Sequence, residues 1–135
     1  MENTFSDETT VVAAIKNVIG NSKGKCYVAS EAAYHLLGGK KAGYTPVVFS
    51  VMDSRTFKRF SHWWLRRSDH TILDITADQF NQSPKDIYPQ GRGCGFLTKK
   101  PSKKAQEIID ATIQYINLCQ ELELYMKILH LVQKL

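Results

Sequence analysis

The chain lacks any run of about 18 apolar residues, so no segment reads as a membrane-spanning helix. Its opening, Met1-Glu2-Asn3-Thr4-Phe5-Ser6-Asp7-Glu8, is acidic, carries no apolar stretch and does not read as a secretory signal. A cytoplasmic address is the expectation. Cysteine is scarce, with three in 135 residues. In a reducing compartment such a number reads as free thiols rather than a disulfide framework, and an odd count leaves one over in any case. There is no CxxC or HExxH spacing. A zinc site built from Cys26, His62 and a further ligand has no such spacing behind it, and neither metal nor cofactor is expected. No internal repeat, low-complexity tract or nucleic-acid-binding signature is visible. The last 31 residues contain neither glycine nor proline.

What is present is ordinary for a globular chain: 43% hydrophobic, 10% aromatic and 23% charged residues. At this length a single domain over 1–135 is expected, with enough chain to bury a core unaided. The net charge of +5 is unevenly placed. Residues 1–54 are neutral overall, residues 55–104 carry +7, and residues 105–135 carry −2. The middle of the chain therefore offers either a solvated surface or a field for an acidic substrate or anionic ligand.

Ser6 is a candidate N-cap, followed by Val11, Val12, Ile15, Val18 and Ile19 at helical spacing and a stop at Gly20-Asn21. A second helix starts at Cys26 and stops at Gly38-Gly39. The pattern then turns to strands over 44–52, 57–67 and 71–76, joined at Asp53-Ser54 and Ser68-Asp69-His70, which reads as an antiparallel meander. Residues 81–104 are loop-like. Residues 103–134 form one long helical pattern whose last part is apolar on more than one face. Such a helix is expected to be buried, across the sheet or in a homodimer. The fold class expected is α+β, with a core over about 21–105 and a long C-terminal helix.

The reactive residues fall on these elements in order. Cys26 begins a helix, His62 lies in Phe60-Ser61-His62-Trp63-Trp64-Leu65, and Asp74 lies in Ile72-Leu73-Asp74-Ile75-Thr76. A hairpin centred on residue 68 sets His62 directly opposite Asp74, on one face. Asp74 has apolar neighbours, where an unpaired acid is costly. A helix N-terminus and a nearby imidazolium lower a thiol's pKa, and Lys23 and Lys25 add positive charge beside Cys26. A carboxylate on the far imidazole nitrogen holds the ring's tautomer and orientation, and the Cys26 amide offers an oxyanion donor. Each residue also has a plainer reading: Cys26 as a small core residue, His62 as a satisfied strand histidine, Asp74 as a turn acid. Trp63 and Trp64 alternate faces, so one packs inward and the other walls a cleft. Asn21, Trp64 and Gln79 are the substrate-binding candidates. Cys94 reads as a loop thiol, Cys119 as packing, and His35, His70 and His130 as surface or core residues.

Helix Cys, strand His and strand Asp in this order resemble the papain-like superfamily in its transglutaminase-type circular order. His62-Trp63-Trp64-Leu65 and the run from Ile72 to Phe80 are similar to that superfamily's His strand and LDxTxxQF Asp strand. Cys26 to Gly39 and Gly91 to Lys99 resemble small proteins encoded by phages and prophages. The resemblance spans roughly residues 24–105 and leaves out 1–20 and 106–135. It implies a cysteine-nucleophile fold but no particular substrate, because the superfamily includes peptidases, amidases, deamidases, transglutaminases and acetyltransferases. No papain-type Gln precedes Cys26, and Asn21 is the nearest amide. Two functions follow as expectations. One is a cysteine-dependent hydrolase or acyltransferase working on an amide, ester or thioester of a peptide, protein or small acyl substrate. The other is a non-catalytic, phage-type protein that uses the same cleft and basic segment to bind a host protein or anionic ligand.

Overall fold

The computed structural model describes Phe5 and residues 7–135. The N-cap reading at Ser6 lies outside the described residues. The cap of the first helix, α1 (Glu8–Ile19), is Asp7, whose side chain accepts from the Thr10 N–H. Glu8 adds an acid to the first turn, where it suits the helix dipole. Val11, Ala14, Ile15 and Ile19 form the buried stripe at steps of three and four.

The second helix, α2 (Cys26–Leu36), buries Ala29, Ala32, Ala33 and Leu36, and its small side chains let neighbouring elements approach closely. The third helix, α3 (Lys103–Gln133), is capped by Ser102 Oγ, which accepts from the Ala105 N–H. Its first half buries Ala105, Ile109, Thr112 and Ile116 against α1 and α2. These three faces, with Leu65, Leu73 and Ile75, make the main core. Each large aliphatic side chain fully buried there stabilises the fold by about 1.5–3 kcal/mol relative to exposure.

The sheet is antiparallel and four-stranded. Its strands are β1 (Thr45–Met52), β2 (Arg59–Arg66), β3 (Ile72–Leu73) and β4 (Arg92–Gly93), in the order β3-β2-β1-β4. The α+β class and the long C-terminal helix are as the sequence leads one to expect. β4 is an addition, because it is two residues inside a stretch that reads as loop. Gly91 lets it dock: a Cβ there would stand 2.3 Å from Trp64 and 2.6 Å from Val47.

The third strand is shorter than its sequence pattern. Only Ile72 and Leu73 pair, and the chain then turns into a 3-10 segment, Ala77–Gln79. The loop before it is closed by the Arg67 N–H donating to the Thr71 carbonyl, with His70 at φ 70°. A three-residue loop with its last residue left-handed is a common hairpin connection. Its centre is therefore Asp69, and Leu65 pairs with Leu73.

The second half of α3 departs further from expectation. From Asn117 to Leu135 every residue is exposed, where burial across the sheet was one expectation. Cys119 is among them, and so is not core packing.

Candidate active site

β3 pairs only with Leu65 and Arg66, so among the described residues no strand flanks the outer edge of β2 from Arg59 to Trp64. The N-terminus of α2 sits on that open edge. The Cys26 thiol lies 3.9 Å from the Ser61 carbonyl oxygen, and the Trp63 backbone N–H bonds the sulfur from the same edge.

His62 is buried, with 0% of its surface exposed. Its Nε2–H donates to Asp74 Oδ2 at 2.7 Å. The hairpin centred on Asp69 rules out the direct cross-strand pairing of His62 with Asp74. Moving the centre by one residue moves the register by two, which puts Asp74 at the position opposite Trp64, diagonal to His62 and still on its face. Because side chains alternate with period two, this slip keeps the face and only lengthens the reach. Tyr88 O–H also donates to Asp74 Oδ2, at 2.6 Å. Asp74 Oδ1 is buried without a hydrogen-bond partner among the described residues.

With Nε2 engaged by Asp74, the other ring nitrogen meets an amide. The Gln79 amide nitrogen lies 3.0 Å from His62 Nδ1. The ring is held edge-on by Phe80, with centroids 4.8 Å apart, and lies 5.6 Å from the Trp64 ring.

The electrostatics follow from this packing. Burial pushes the His62 pKa down, but the hydrogen bond to Asp74, the Cys26 contact and their charges outweigh it and raise it to about 9. Burial pushes the Cys26 thiol up. The His62 hydrogen bond, the Trp63 backbone contact, the His62 charge and the Tyr27 backbone contact outweigh it, so the thiol sits below its ordinary value. Lys23 and Lys25 are not among those causes. The Lys25 ammonium instead donates to the Ile19 carbonyl.

The structure thus brings Cys26, His62, Asp74 and Gln79 together. It does not bring Asn21 to them: Asn21 is exposed, and its Oδ1 accepts from the Lys23 N–H in a local turn. Trp64 is buried, at 1% exposure, and packs against Tyr88 rather than forming an open wall. The half-buried indole is Trp63, on the opposite face, edge-on to Tyr27 and stacked on Phe96. Tyr88 is the participant that sequence reasoning missed, since a lone tyrosine before Pro89 in an irregular stretch gives no periodic signal.

The basic excess is dispersed rather than gathered at the thiol. Arg67 forms an ion pair with Glu8 at 2.6 Å and also donates to the Ile72 carbonyl, a structural role. Arg66 and Lys85 line a cavity of about 370 Å³ beside Trp64 and Tyr88. Lys40 and Lys99 line another of about 540 Å³ that includes Cys94. Among the described residues no group of three His, Cys, Asp or Glu side chains could hold a metal ion. Nor, among the described residues, is any helix long and apolar enough to cross a membrane.

A lowered thiol in contact with a raised, carboxylate-held imidazole can form a thiolate–imidazolium pair, the reactive form of cysteine. Compared with known proteins, the chain matches no family model, no curated protein and no solved structure.

Proposed function

We propose that the protein is a cysteine-dependent hydrolase or acyltransferase of the papain-like type, acting on an amide, ester or thioester of a peptide, protein or small acyl substrate. The observation that carries this reading is His62, buried and held by Asp74 on one nitrogen while its other side meets a thiol of lowered pKa. A purely structural histidine has no need of a reactive thiol on the unpaired edge of its strand.

In this reading the Cys26 thiolate attacks the substrate carbonyl carbon and a C–S bond forms. The imidazolium at His62 gives its proton to the departing amine, alcohol or thiol, and the bond to that group breaks. An acyl-enzyme remains. Neutral His62 then takes a proton from water or an acceptor amine, which attacks the acyl carbon and releases the thiolate. Asp74 keeps Nε2 protonated throughout, so that Nδ1 faces the chemistry. The first-turn amides of α2 and the Gln79 side-chain amide are the candidate donors to the oxyanion.

The test is thiol selectivity. With a small alkylating agent at neutral pH, Cys26 is expected to react faster than Cys94 and Cys119, although Cys119 is the most exposed of the three. His62→Ala is expected to abolish that preference. Equal rates at all three thiols, followed by peptide mass spectrometry, would sink the activated nucleophile. Cys26→Ala is expected to abolish any adduct with an acylating probe.

A further inference from the structure

The cavity of about 370 Å³ beside Trp64 takes in both Trp64 and Arg66 of β2. Side chains two apart along a strand share a face, so it opens on the His62 side of the sheet. None of Cys26, His62, Asp74 and Gln79 lines it. It is therefore a different place from the one where the thiol would meet a carbonyl.

Its wall has two kinds of surface. Val47, Ile72, Pro89 and the Tyr88 ring are apolar or aromatic. Against them stand Arg66 at the end of β2, His70 at the left-handed position of the loop that follows, and Lys85 from the stretch before Tyr88. No acid lines the cavity. Arg67, the next residue along, is paired with Glu8. Arg66, His70 and Lys85 have no ion pair and no side-chain hydrogen bond among the described residues. Arg66 is half-buried, so a guanidinium fork of five N–H donors stands in this wall with its donors unused.

We infer that this cavity is an anion-binding site, separate from the thiol, for a compact organic oxyanion: a phosphate ester or carboxylate carried on an apolar body. The Arg66 fork matches two oxygens of such a group. Lys85 adds charge and His70 a ring N–H donor. Val47, Ile72, Pro89 and the Tyr88 ring receive the body. The volume falls within the range of small-molecule sites. The apolar side is what separates this site from a field that draws any anion.

Titration of the intact chain with phenyl phosphate, followed by the two indole N–H resonances, tests the site. The Trp64 resonance is expected to move and saturate, and that of Trp63, on the opposite face, to stay. Inorganic phosphate lacks the body and phenol lacks the charge. Each is expected to bind at least about tenfold more weakly than phenyl phosphate. Arg66→Gln is expected to weaken phenyl phosphate at least about tenfold, and Lys85→Gln about threefold. Lys99→Gln, a cation of another cavity, is expected to change nothing. Lys85 is exposed, so its variant reports even where the Arg66 change disturbs the end of β2. With the probe bound, Cys26 is expected to stay open to iodoacetamide. Inorganic phosphate that binds as tightly as phenyl phosphate overturns the inference. So does an affinity unmoved by both substitutions, a shift at Trp63 alone, or protection of Cys26. Binding involves no step at the thiol, so a Cys26 no faster than the other thiols would leave this site standing.

Discussion

His62 has a hydrogen-bonding partner at both ring nitrogens, and the two sides differ in kind. At Nε2 the Asp74 carboxylate is fixed by Tyr88, which donates to the same oxygen. At Nδ1 the Gln79 amide can face a neutral nitrogen with its NH2 or a protonated one with its carbonyl. Gln79 therefore suits both states that a proton-shuttling imidazole visits. The pKa directions define a pH window. The thiolate fraction at Cys26 rises with pH through a value below the ordinary 9.0, and the imidazolium fraction at His62 falls above about 9. The alkylation rate of Cys26 is expected to climb on the acid side at a pH below that of a free thiol. Acyl transfer is expected to decline as pH passes about 9. Asp74→Asn removes the charge that holds His62 up. It should move the acid limb toward higher pH and slow turnover by about two to four orders of magnitude, as loss of organised proton transfer does. A rate profile measured with any turned-over ester decides this; an unshifted acid limb would exclude Asp74 from the role. The stability sign runs the same way. Because the folded His62 value lies above its unfolded 6.5, the pair's contribution is fully present below about 6.5 and is lost as pH rises through about 9.

The elements supporting the site differ in how plainly they announce themselves. The α2 start at Cys26 and its stop before Gly38-Gly39 were legible from helix formers and glycines. So was β2, rich in aromatics. The register of β2 against β3 was not, because a three-residue loop over 67–69 and one over 68–70 share the turn-forming residues of Ser68-Asp69-His70. Only the left-handed backbone at His70 decides between them. β4 was hidden for a different reason. Two residues give no alternation to read, and its docking rests on the missing side chain of Gly91. That dependence is testable. Gly91→Ala drives a methyl against the Trp64 ring and Val47, an overpacking expected to cost about 1–3 kcal/mol. Trp64 lies against both His62 and Tyr88, so the substitution should also slow Cys26 alkylation. Denaturant melts alongside alkylation rates check both parts. An unchanged melting midpoint would mean that the β4 contact is dispensable. The local bond at Asn21 was not legible either: a short amide just after a helix closes its own turn, here by accepting from the Lys23 N–H.

At the scale of the whole molecule, the sequence pattern led to burial of the apolar last part of α3, whereas from Asn117 on every residue is exposed. Hydrophobic periodicity reports a face, not the identity of what lies against it. The body is too small to reach past Ile116, and the rest of α3 runs clear of it. The charge pattern was similarly ambiguous, since Arg67 is spent on Glu8 within the fold. One buried group ties the two halves of the molecule together. Glu31, in the middle of α2 and with 0% exposure, accepts from the Ser102 N–H at 2.7 Å and from the Ser102 hydroxyl at 2.8 Å, at the first turn of α3. The helix that carries Cys26 at one end is thus bolted, at its midpoint, to the base of a lever about 46 Å long. A torque applied at the free end of that lever is delivered to α2, only five residues from the thiol. Glu31→Gln, which weakens the bolt while keeping its shape, is expected to raise amide hydrogen exchange in the first turns of both α2 and α3 together. Exchange raised in α3 alone would show the two helices to be mechanically independent.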